Sequence, residues 1–327
     1  MKLKKLVLVV LFTVDNRRLV HFITSCTQSK AVKYGEALQL SKCSENPKFS
    51  PEYWLRTLGQ KLPKGPALEV YTGDHWSVSK DILKNYANEL WVLSAGYGLI
   101  SAKSDIGAYD ATFSTGNQNS VSNNLGLISS SIQQNRIWWN ELTLLNKNSL
   151  SLTELFKRFR NDLFIIAAAP TYINVVKQEI KESISSRLVN EDNLLIITSS
   201  IDSELKNFSI ITKEKVRTHK DIGGSVVSIH TRVARQLLKS SKKFQYSIAN
   251  MKVEYLKLEN QSPNIVKKPI RKLTDDEIVK IIKNLITEFS DVKLSSSVVL
   301  RMFRDKGYSC EQKRFSRLYK TATRFVS

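Results

Sequence analysis

The sequence has few of the residues and motifs by which catalytic centres are usually recognised. It contains three cysteines and four histidines in 327 residues, and no two cysteines have the spacing of a zinc or redox pair. It also contains no G-x-G-x-x-G, Walker A, H-E-x-x-H or G-x-S-x-G sequence. A small, odd number of cysteines argues against a disulfide framework and favours a reducing cytoplasm. We therefore expect a cytoplasmic protein that needs no metal and no other cofactor.

Long hydrophobic runs are missing as well. The apolar segment at residues 6–12 is too short to span a bilayer, and no A-x-A cleavage site follows it. We interpret this segment as a β-strand or a start-site extension rather than an export signal. No membrane partner is expected.

What the sequence has in excess is positive charge, and this charge is unevenly distributed. The net charge is +20, and residues 211–327 hold 26 of the 50 lysines and arginines but only 11 of the 30 aspartates and glutamates. Such an asymmetry is typical of a basic region that binds a polyanion, above all nucleic acid. The alternative is a basic surface that serves only solubility.

The first two hundred residues alternate between strand-like and helix-like patterns. The strand-like runs are nearly continuous in apolar residues, as expected for strands covered on both faces. They are LVHFITS (19–25), ALEVYTG (67–73), ELWVLSA (89–95), DLFIIAAA (162–169) and NLLIITSS (193–200). Helical patterns lie between several of them, and Pro170 suits the first position of a helix. We predict an α/β fold with a mostly parallel central sheet and flanking helices.

The C-terminal part of the chain predicts a small, basic helical domain that resembles a helix-turn-helix unit. Residues 260–272 are rich in proline and lysine and predict a linker between an α/β catalytic domain at 1–259 and a helical domain at 273–327. Thr274 is a plausible N-cap for the first of three helices. A helical cap with a solvated basic face is the alternative. The residues expected to contact DNA lie in the last helix: Lys313, Arg314, Arg317, Lys320 and Arg324.

Function is expected at the carboxyl ends of the strands, because ligands of open α/β sheets bind there. Small, hydroxyl and aromatic residues follow the predicted strands, and they suit a flat polar ligand such as a nucleobase. We expect one of four tryptophans to stack on the ligand. The predicted substrate-binding residues are Ser25, Thr27, Gly96, Tyr97, Gly98, Thr171 and Tyr172, and the tryptophans are Trp76, Trp91, Trp138 and Trp139.

Two segments resemble the YaaA-like family. The stretch LSAGYGLISAKSDIGAYDATFS (93–114) has the Tyr-Gly-Leu turn of that family, followed by an acid and then a tyrosine, and FITSCTQSK (22–30) is similar to a Ser-Cys-x-x-x-Lys opening seen in its relatives. Together the two segments cover some forty residues directly. The sequence departs from the family at Ala108, where a proline would be expected before the tyrosine.

A YaaA-like core with a basic tail resembles the DpdC branch of this family, which belongs to the bacterial system that places 7-deazaguanines in DNA. The resemblance implies hydration of the nitrile of 7-cyano-7-deazaguanine in DNA to the amide. It also implies double-stranded DNA carrying a modified guanine as partner, together with other proteins of the same modification system. Relatives nearer the founding YaaA proteins are associated with peroxide stress and DNA binding, which leaves a non-catalytic DNA-binding protein as the alternative.

Two chemistries are open for nitrile hydration. In the first, Cys26 adds to the nitrile as a thiolate, which Lys30 stabilises four residues later. In the second, Asp105 or Asp110 acts as general base on a water while Tyr97 or Tyr109 donates to the nitrogen.

Each of these residues also has a plainer interpretation. Cys26 would be a small buried apolar side chain, and the two aspartates would stabilise turns through their own backbone. A third activity, that of a modified-base glycosylase or base-exchange enzyme, would use Asp105 or Asp110 at the sugar carbon.

Overall fold

The chain forms two compact units that divide between Asn264 and Ile265. The computed structural model describes residues 18–126, 129–265, 273–288 and 294–323, and for Lys313 it describes the backbone alone. The N-terminal apolar segment and most of the predicted linker lie outside the described residues, as does Arg324. The first residues of the predicted linker, 260 and 261, belong to a helix that ends at Gln261.

Ten strands are present in the described residues of the first unit. They are β1 (Val20–Ser25), β2 (Leu38–Gln39), β3 (Lys64–Pro66), β4 (Glu89–Ser94), β5 (Gly98–Ser101), β6 (Asp105–Gly107), β7 (Tyr109–Asp110), β8 (Leu163–Ala167), β9 (Leu194–Thr198) and β10 (Ser209–Ile211). Six of them form the central sheet in the order β10-β9-β8-β1-β4-β5, and two-stranded pairs join β2 to β7 and β3 to β6. Only β5 runs antiparallel to its neighbour in the central sheet, so the predicted mostly parallel α/β fold is confirmed.

Helices cover the sheet in the first unit. They are α1 (Leu40–Ser44), α2 (Pro51–Gln60), α3 (Ala67–Val70), α4 (Asp74–Asn85), α5 (Val121–Asn124), α6 (Ser131–Leu145), α7 (Leu152–Arg158), α8 (Pro170–Ser185), α9 (Ile229–Ser241) and α10 (Ile248–Gln261). Short 3-10 turns occur at Val32–Tyr34, Ser203–Phe208, Glu214–Thr218, Val226–Ser228 and Lys242–Phe244.

One predicted strand was wrong. The run 67–73 begins with helix α3, and its amide groups at Ala67 and Leu68 donate to the carbonyls of Ser104 and Ala102 rather than to a strand ladder. A short apolar run that is buried on all sides does not distinguish a helix from a strand by its pattern. The other four runs form β1, β4, β8 and β9, each fully or almost fully buried.

The strand order places the site. The chain passes from β1 to β4 on one side and later returns to β8 on the other side of β1. The strand order therefore reverses between β1 and β8, and the crevice at the carboxyl ends of these two strands is the place where open α/β sheets bind ligands.

The second unit contains three helices in its described residues: α11 (Asp275–Glu288), α12 (Ser296–Asp305) and α13 (Gln312–Thr323). Thr274 caps α11 as predicted, because its hydroxyl accepts from the Glu277 amide while the Glu277 carboxylate accepts from the Thr274 amide, at 3.3 and 2.8 Å. Ile282, Phe303 and Phe315, one from each helix, are completely buried and hold the three helices together.

Candidate active site

Cys26 and Tyr172 meet at the point where the strand order reverses. Cys26 directly follows β1, and its amide donates to the carbonyl of Leu93 on the neighbouring strand β4 at 3.0 Å. Tyr172 lies in the first turn of α8, just after β8, because Pro170 begins that helix. The Cys26 thiol and the Tyr172 hydroxyl are 3.4 Å apart, and either atom can donate. Two residues predicted from sequence are thus in direct contact across the crevice.

Two further tyrosines and a serine form a closed hydroxyl network beside this pair. The Tyr109 hydroxyl is 2.7 Å from that of Ser94 and 2.8 Å from that of Tyr71, and both tyrosine side chains are fully buried. Burial, and then the charge of a Cys26 thiolate, raise the pKa of Tyr71, Tyr109 and Tyr172 well above the ordinary value. All three hydroxyls therefore keep their protons at neutral pH and can donate them as hydrogen bonds.

Lys30 brings an amine into the same group. Its Nζ lies 4.3 Å from the centre of the Tyr109 ring and 5.7 Å from that of Tyr71, and it donates to the Gln28 carbonyl at 3.1 Å. Burial lowers the pKa of Lys30, while the charges of Cys26 and Asp110 oppose that shift. A lysine with a lowered pKa can accept and return a proton more readily than an exposed one.

Asp110 lies next to this group but is held by its own partner. The Asn119 side-chain NH₂ group donates to the Asp110 carboxylate at 2.8 Å. The side-chain oxygen of Asn119 accepts from both the backbone amide and the hydroxyl of Ser41. Asn119 is almost completely buried. The carboxylate is therefore fixed in orientation and contributes negative charge near Lys30.

The glycine–tyrosine loop is shaped around Tyr109. A Cβ at Gly96 would lie 2.6 Å from the Tyr109 ring, and one at Gly98 would lie 2.4 Å from the Ser149 hydroxyl, where φ is also +78°. The Tyr97 hydroxyl accepts from the amide of Gly107 at 3.0 Å. Tyr97 thus closes the loop on itself through its hydroxyl, and its role as a substrate-binding residue stays a prediction.

The remaining predicted site residues form no described side-chain hydrogen bond to the cysteine–tyrosine group, although Ser25 and Thr27 flank Cys26 and Thr171 precedes Tyr172. Asp105 is exposed on β6 opposite Pro66, so the structure separates it from Asp110, and it has no described hydrogen bond to the cysteine–tyrosine group. Thr171 is exposed in the first turn of α8, and the Thr27 hydroxyl donates to the Ser29 carbonyl at 3.0 Å. Ser25 ends β1 and is buried.

The expected tryptophan stacking contact was wrong. Each of the four tryptophans has at most 8% of its surface exposed and donates its ring N–H to a protein acceptor. The acceptors are the Leu68 carbonyl for Trp76, His21 Nδ1 for Trp91, the Ala95 carbonyl for Trp138 and the Glu179 carboxylate for Trp139. These rings build the core, and Trp138 also fixes the Ala95 carbonyl at the start of the glycine–tyrosine loop.

The predicted site residues did not include Tyr71 or Ser94. Tyr71 lies in the run that was taken for a strand, and it reaches Tyr109 across 38 residues of sequence. His75 Nε2 is 2.9 Å from the Thr24 hydroxyl, which donates to the Ala167 carbonyl, so His75 supports the ends of β1 and β8. The position of Ser94 at the end of β4 could have indicated it, whereas Tyr71 follows helix α3 and has no such local signal.

In the second unit, the predicted DNA-contacting residues divide into two kinds. Arg314 donates to the Asp275 carboxylate at 2.8 Å and to the Leu273 carbonyl at 3.1 Å, so it ties α13 to the start of α11. Arg317 reaches the same carboxylate at 3.1 Å but keeps 70% of its side chain exposed, and Lys320 is exposed. The Lys313 side chain and Arg324 lie outside the described residues.

The fold and the site define an α/β protein with a thiol, a lysine and three buried tyrosines at the switch point of its sheet. Comparison with protein-family models, curated proteins and solved structures finds no match. Within the described residues, no helix combines the length and apolarity needed to cross a bilayer. The same residues contain no group of three or more His, Cys, Asp and Glu side chains that could hold a metal. The expected lack of a cofactor stays a prediction.

Proposed function

We propose that the protein is a DNA-modification enzyme that hydrates the nitrile of 7-cyano-7-deazaguanine in DNA to the amide. The observation that carries the proposal is the Cys26 thiol, 3.4 Å from the Tyr172 hydroxyl at the switch point of the sheet. A nucleophile beside protonated hydroxyls is what addition to a nitrile requires. The choice of substrate comes from the likeness of residues 22–30 and 93–114 to the YaaA-like family and its DpdC branch.

The first half of the reaction forms a thioimidate. Lys30, as a neutral amine, takes the thiol proton of Cys26. The thiolate adds to the nitrile carbon, one carbon–nitrogen π bond breaks, and its electron pair moves to nitrogen. That nitrogen takes back the proton from the Lys30 ammonium while Tyr172 donates a hydrogen bond to it.

The second half adds water. A water attacks the thioimidate carbon, the remaining π pair takes a proton to give an amine, and a tetrahedral intermediate forms. Loss of the hydroxyl proton then expels the thiolate, so the carbon–sulfur bond breaks and the amide leaves. Atoms balance with one water added, and no oxidant or reductant is needed. The Asp110 charge, which favours the charged form of Lys30, stabilises the ammonium while it carries the proton from the thiol to the nitrile nitrogen.

The basic helical unit is the proposed DNA-binding part and would act as a helix-turn-helix module. Arg317 and Lys320 are exposed on α13 and would contact phosphates, so binding should weaken with salt. The nitrile of a base in duplex DNA would reach the thiol either by flipping of the base out of the stack or by entry of the loops into the major groove, where the 7-substituent is partly exposed.

The test is a mass measurement. Purified protein is incubated with a duplex oligonucleotide carrying 7-cyano-7-deazaguanine. The DNA is then digested to nucleosides, and their masses are measured by mass spectrometry. A gain of one water without added cofactor supports the proposal. An unchanged nucleoside with the DNA still bound contradicts it and favours a non-catalytic DNA-binding protein. Release of the free modified base contradicts it and favours a glycosylase.

A further inference from the structure

The amino edge of the central sheet, opposite Cys26, carries a large open groove. The groove has a volume of about 1440 Å³ and is bounded by the residues that precede β1, β4 and β9 and by the connection between α9 and α10. A smaller cavity of about 670 Å³ adjoins it along α9 and α10. The side chains that matter in the first groove are Arg18, Lys84, Tyr86, Lys242, Phe244 and Tyr246.

Positive charge dominates both cavities. Lys239, Lys243 and Lys257 line the smaller one, and of these Lys257 is paired with Glu254 at 2.7 Å. Among the described residues, no carboxylate forms an ion pair with the remaining lysines of the two cavities, which are Lys84, Lys239, Lys242 and Lys243. Unpaired cations gathered in a concave surface attract an anion strongly, because the cavity walls focus the field.

Aromatic rings alternate with these cations. Phe244 has 46% of its surface exposed, and the Lys243 Nζ lies 4.9 Å from its ring centre. The Lys242 Nζ lies 5.9 Å from the ring centre of Tyr86. Phe244 is the exposed ring here, while Tyr86 and Tyr246 are half-buried. Proteins bind unpaired nucleic acid with aromatic rings that stack on bases and cations that follow the backbone.

The backbone at this corner is held in an unusual conformation. After the turn Lys242–Phe244, Gln245 and Tyr246 both adopt positive φ, 51° and 59°, which is uncommon for residues other than glycine. The Tyr246 amide donates to the Ser241 carbonyl at 3.1 Å, and the Ser247 amide donates to the Phe244 carbonyl at 3.2 Å. The corner is thus closed by its own hydrogen bonds, which fixes Lys242 and Phe244, the two residues of this turn that line both cavities.

We infer that this groove binds single-stranded nucleic acid. Its volume exceeds the roughly 300–1,000 Å³ of small-molecule pockets, which favours an extended ligand. Its concave shape does not suit a flat bilayer surface, although basic residues with aromatic rings can also bind anionic lipid. The strand β1 has six residues and separates the groove from Cys26 by about 20 Å, so the two sites are distinct. The inference does not depend on the proposed reaction, since it needs no nitrile.

The test compares full-length variants by fluorescence anisotropy on labelled oligothymidylate of about 20 nucleotides, longer than one binding site. Lys242→Glu with Lys243→Glu should weaken binding at least tenfold. It should also lower the slope of log affinity against log salt by about 1.4, since each lost phosphate contact on a single strand removes about 0.7. Phe244→Ala should weaken binding about tenfold through lost stacking and leave the salt slope unchanged.

The control is Lys48→Glu with Lys147→Glu, which changes the net charge equally at exposed turns outside both cavities. The inference holds if the groove variant loses affinity and the control does not. Equal losses in the two double variants overturn it, because they would reflect net charge alone. Binding of the wild-type protein to anionic phosphatidylserine vesicles but not to the oligonucleotide also overturns it and marks the groove as a lipid-binding surface.

Discussion

The two edges of the central sheet use their polar groups in opposite ways. At the carboxyl edge, Tyr71 and Tyr109 are buried and their hydroxyls bond to each other at 2.8 Å. At the amino edge, Lys242 and Lys243 form no ion pair within the described residues, and Phe244 is half exposed. Burial shifts proton affinities, whereas open charge acts at a distance and is screened by salt. Variants at the carboxyl edge should therefore change rates, and variants at the amino edge should change affinity.

The largest expected effect is on turnover at the carboxyl edge. Lys30→Met should lower turnover about 100-fold, because the proton carrier between thiol and nitrile nitrogen is lost while the side-chain volume is kept. The measurement is the rate of amide formation with saturating modified DNA. Lys33→Met is the control, since Lys33 lies exposed beside Glu69. Equal rates in wild type and Lys30→Met would contradict the role given to Lys30.

A second prediction concerns stability at the same edge. Gly96→Ala should lower the free energy of unfolding by about 2–3 kcal/mol, since its Cβ would lie 2.6 Å from the buried Tyr109 ring. Gly116→Ala meets no atom within 4 Å and should leave stability nearly unchanged. Chemical denaturation of both variants checks this. A Gly96→Ala variant as stable as Gly116→Ala would show that the loop is not packed around Tyr109.

A third prediction uses pH. Burial, and then the nearby His75, lower the pKa of His230 from the ordinary 6.5 to about 4. The unfolded chain then binds more protons than the folded chain between these values, so this contribution to stability is present above pH 6.5 and is lost as the pH falls toward 4. Between pH 6.5 and 5 the loss should reach up to about 2 kcal/mol. In urea unfolding, the free energy of unfolding of His230→Gln should fall less over this pH range than that of the wild type. An equal fall in the two proteins would contradict the lowered pKa of His230.

The smallest expected effect distinguishes two arginines of the helical unit. Arg317→Gln should weaken duplex binding about threefold and lower the salt slope by about 0.9, since one phosphate contact is lost. Arg314→Gln should leave the salt slope unchanged, because Arg314 already binds Asp275 and the Leu273 carbonyl. Titrations of duplex DNA at several salt concentrations give the salt slope of each variant. Identical slopes for Arg317→Gln and Arg314→Gln would contradict the assignment of a phosphate contact to Arg317 alone.

Much of the fold could be predicted from the sequence because burial leaves a local record. The runs that became β1, β4, β8 and β9 are nearly continuous in apolar residues, as strands covered on both faces require. The order of those strands in the sheet leaves no such record. The choice of a helix rather than a strand at Ala67–Val70 leaves no local record either, because hydrogen bonds to residues 102 and 104 determine it.

The candidate site was predictable in part for a similar reason. Cys26 and Tyr172 follow strands directly, and a parallel sheet brings such positions to one edge. Tyr71 reaches the site through tertiary packing, which no local pattern shows. Tyr97 and Asp105 lie close in sequence to Tyr109, but one is used to close the loop and the other is exposed on β6.

The most direct test of the central claim measures turnover and DNA affinity together in Cys26→Ala. The protein with this change should bind the modified duplex as tightly as the wild type and form no amide, because the nucleophile is lost while both basic surfaces are intact. Cys43→Ala, at a buried core cysteine, is the matched control and should keep its activity. Amide formation by Cys26→Ala, or a parallel loss of DNA binding, would contradict the separation of chemistry from binding.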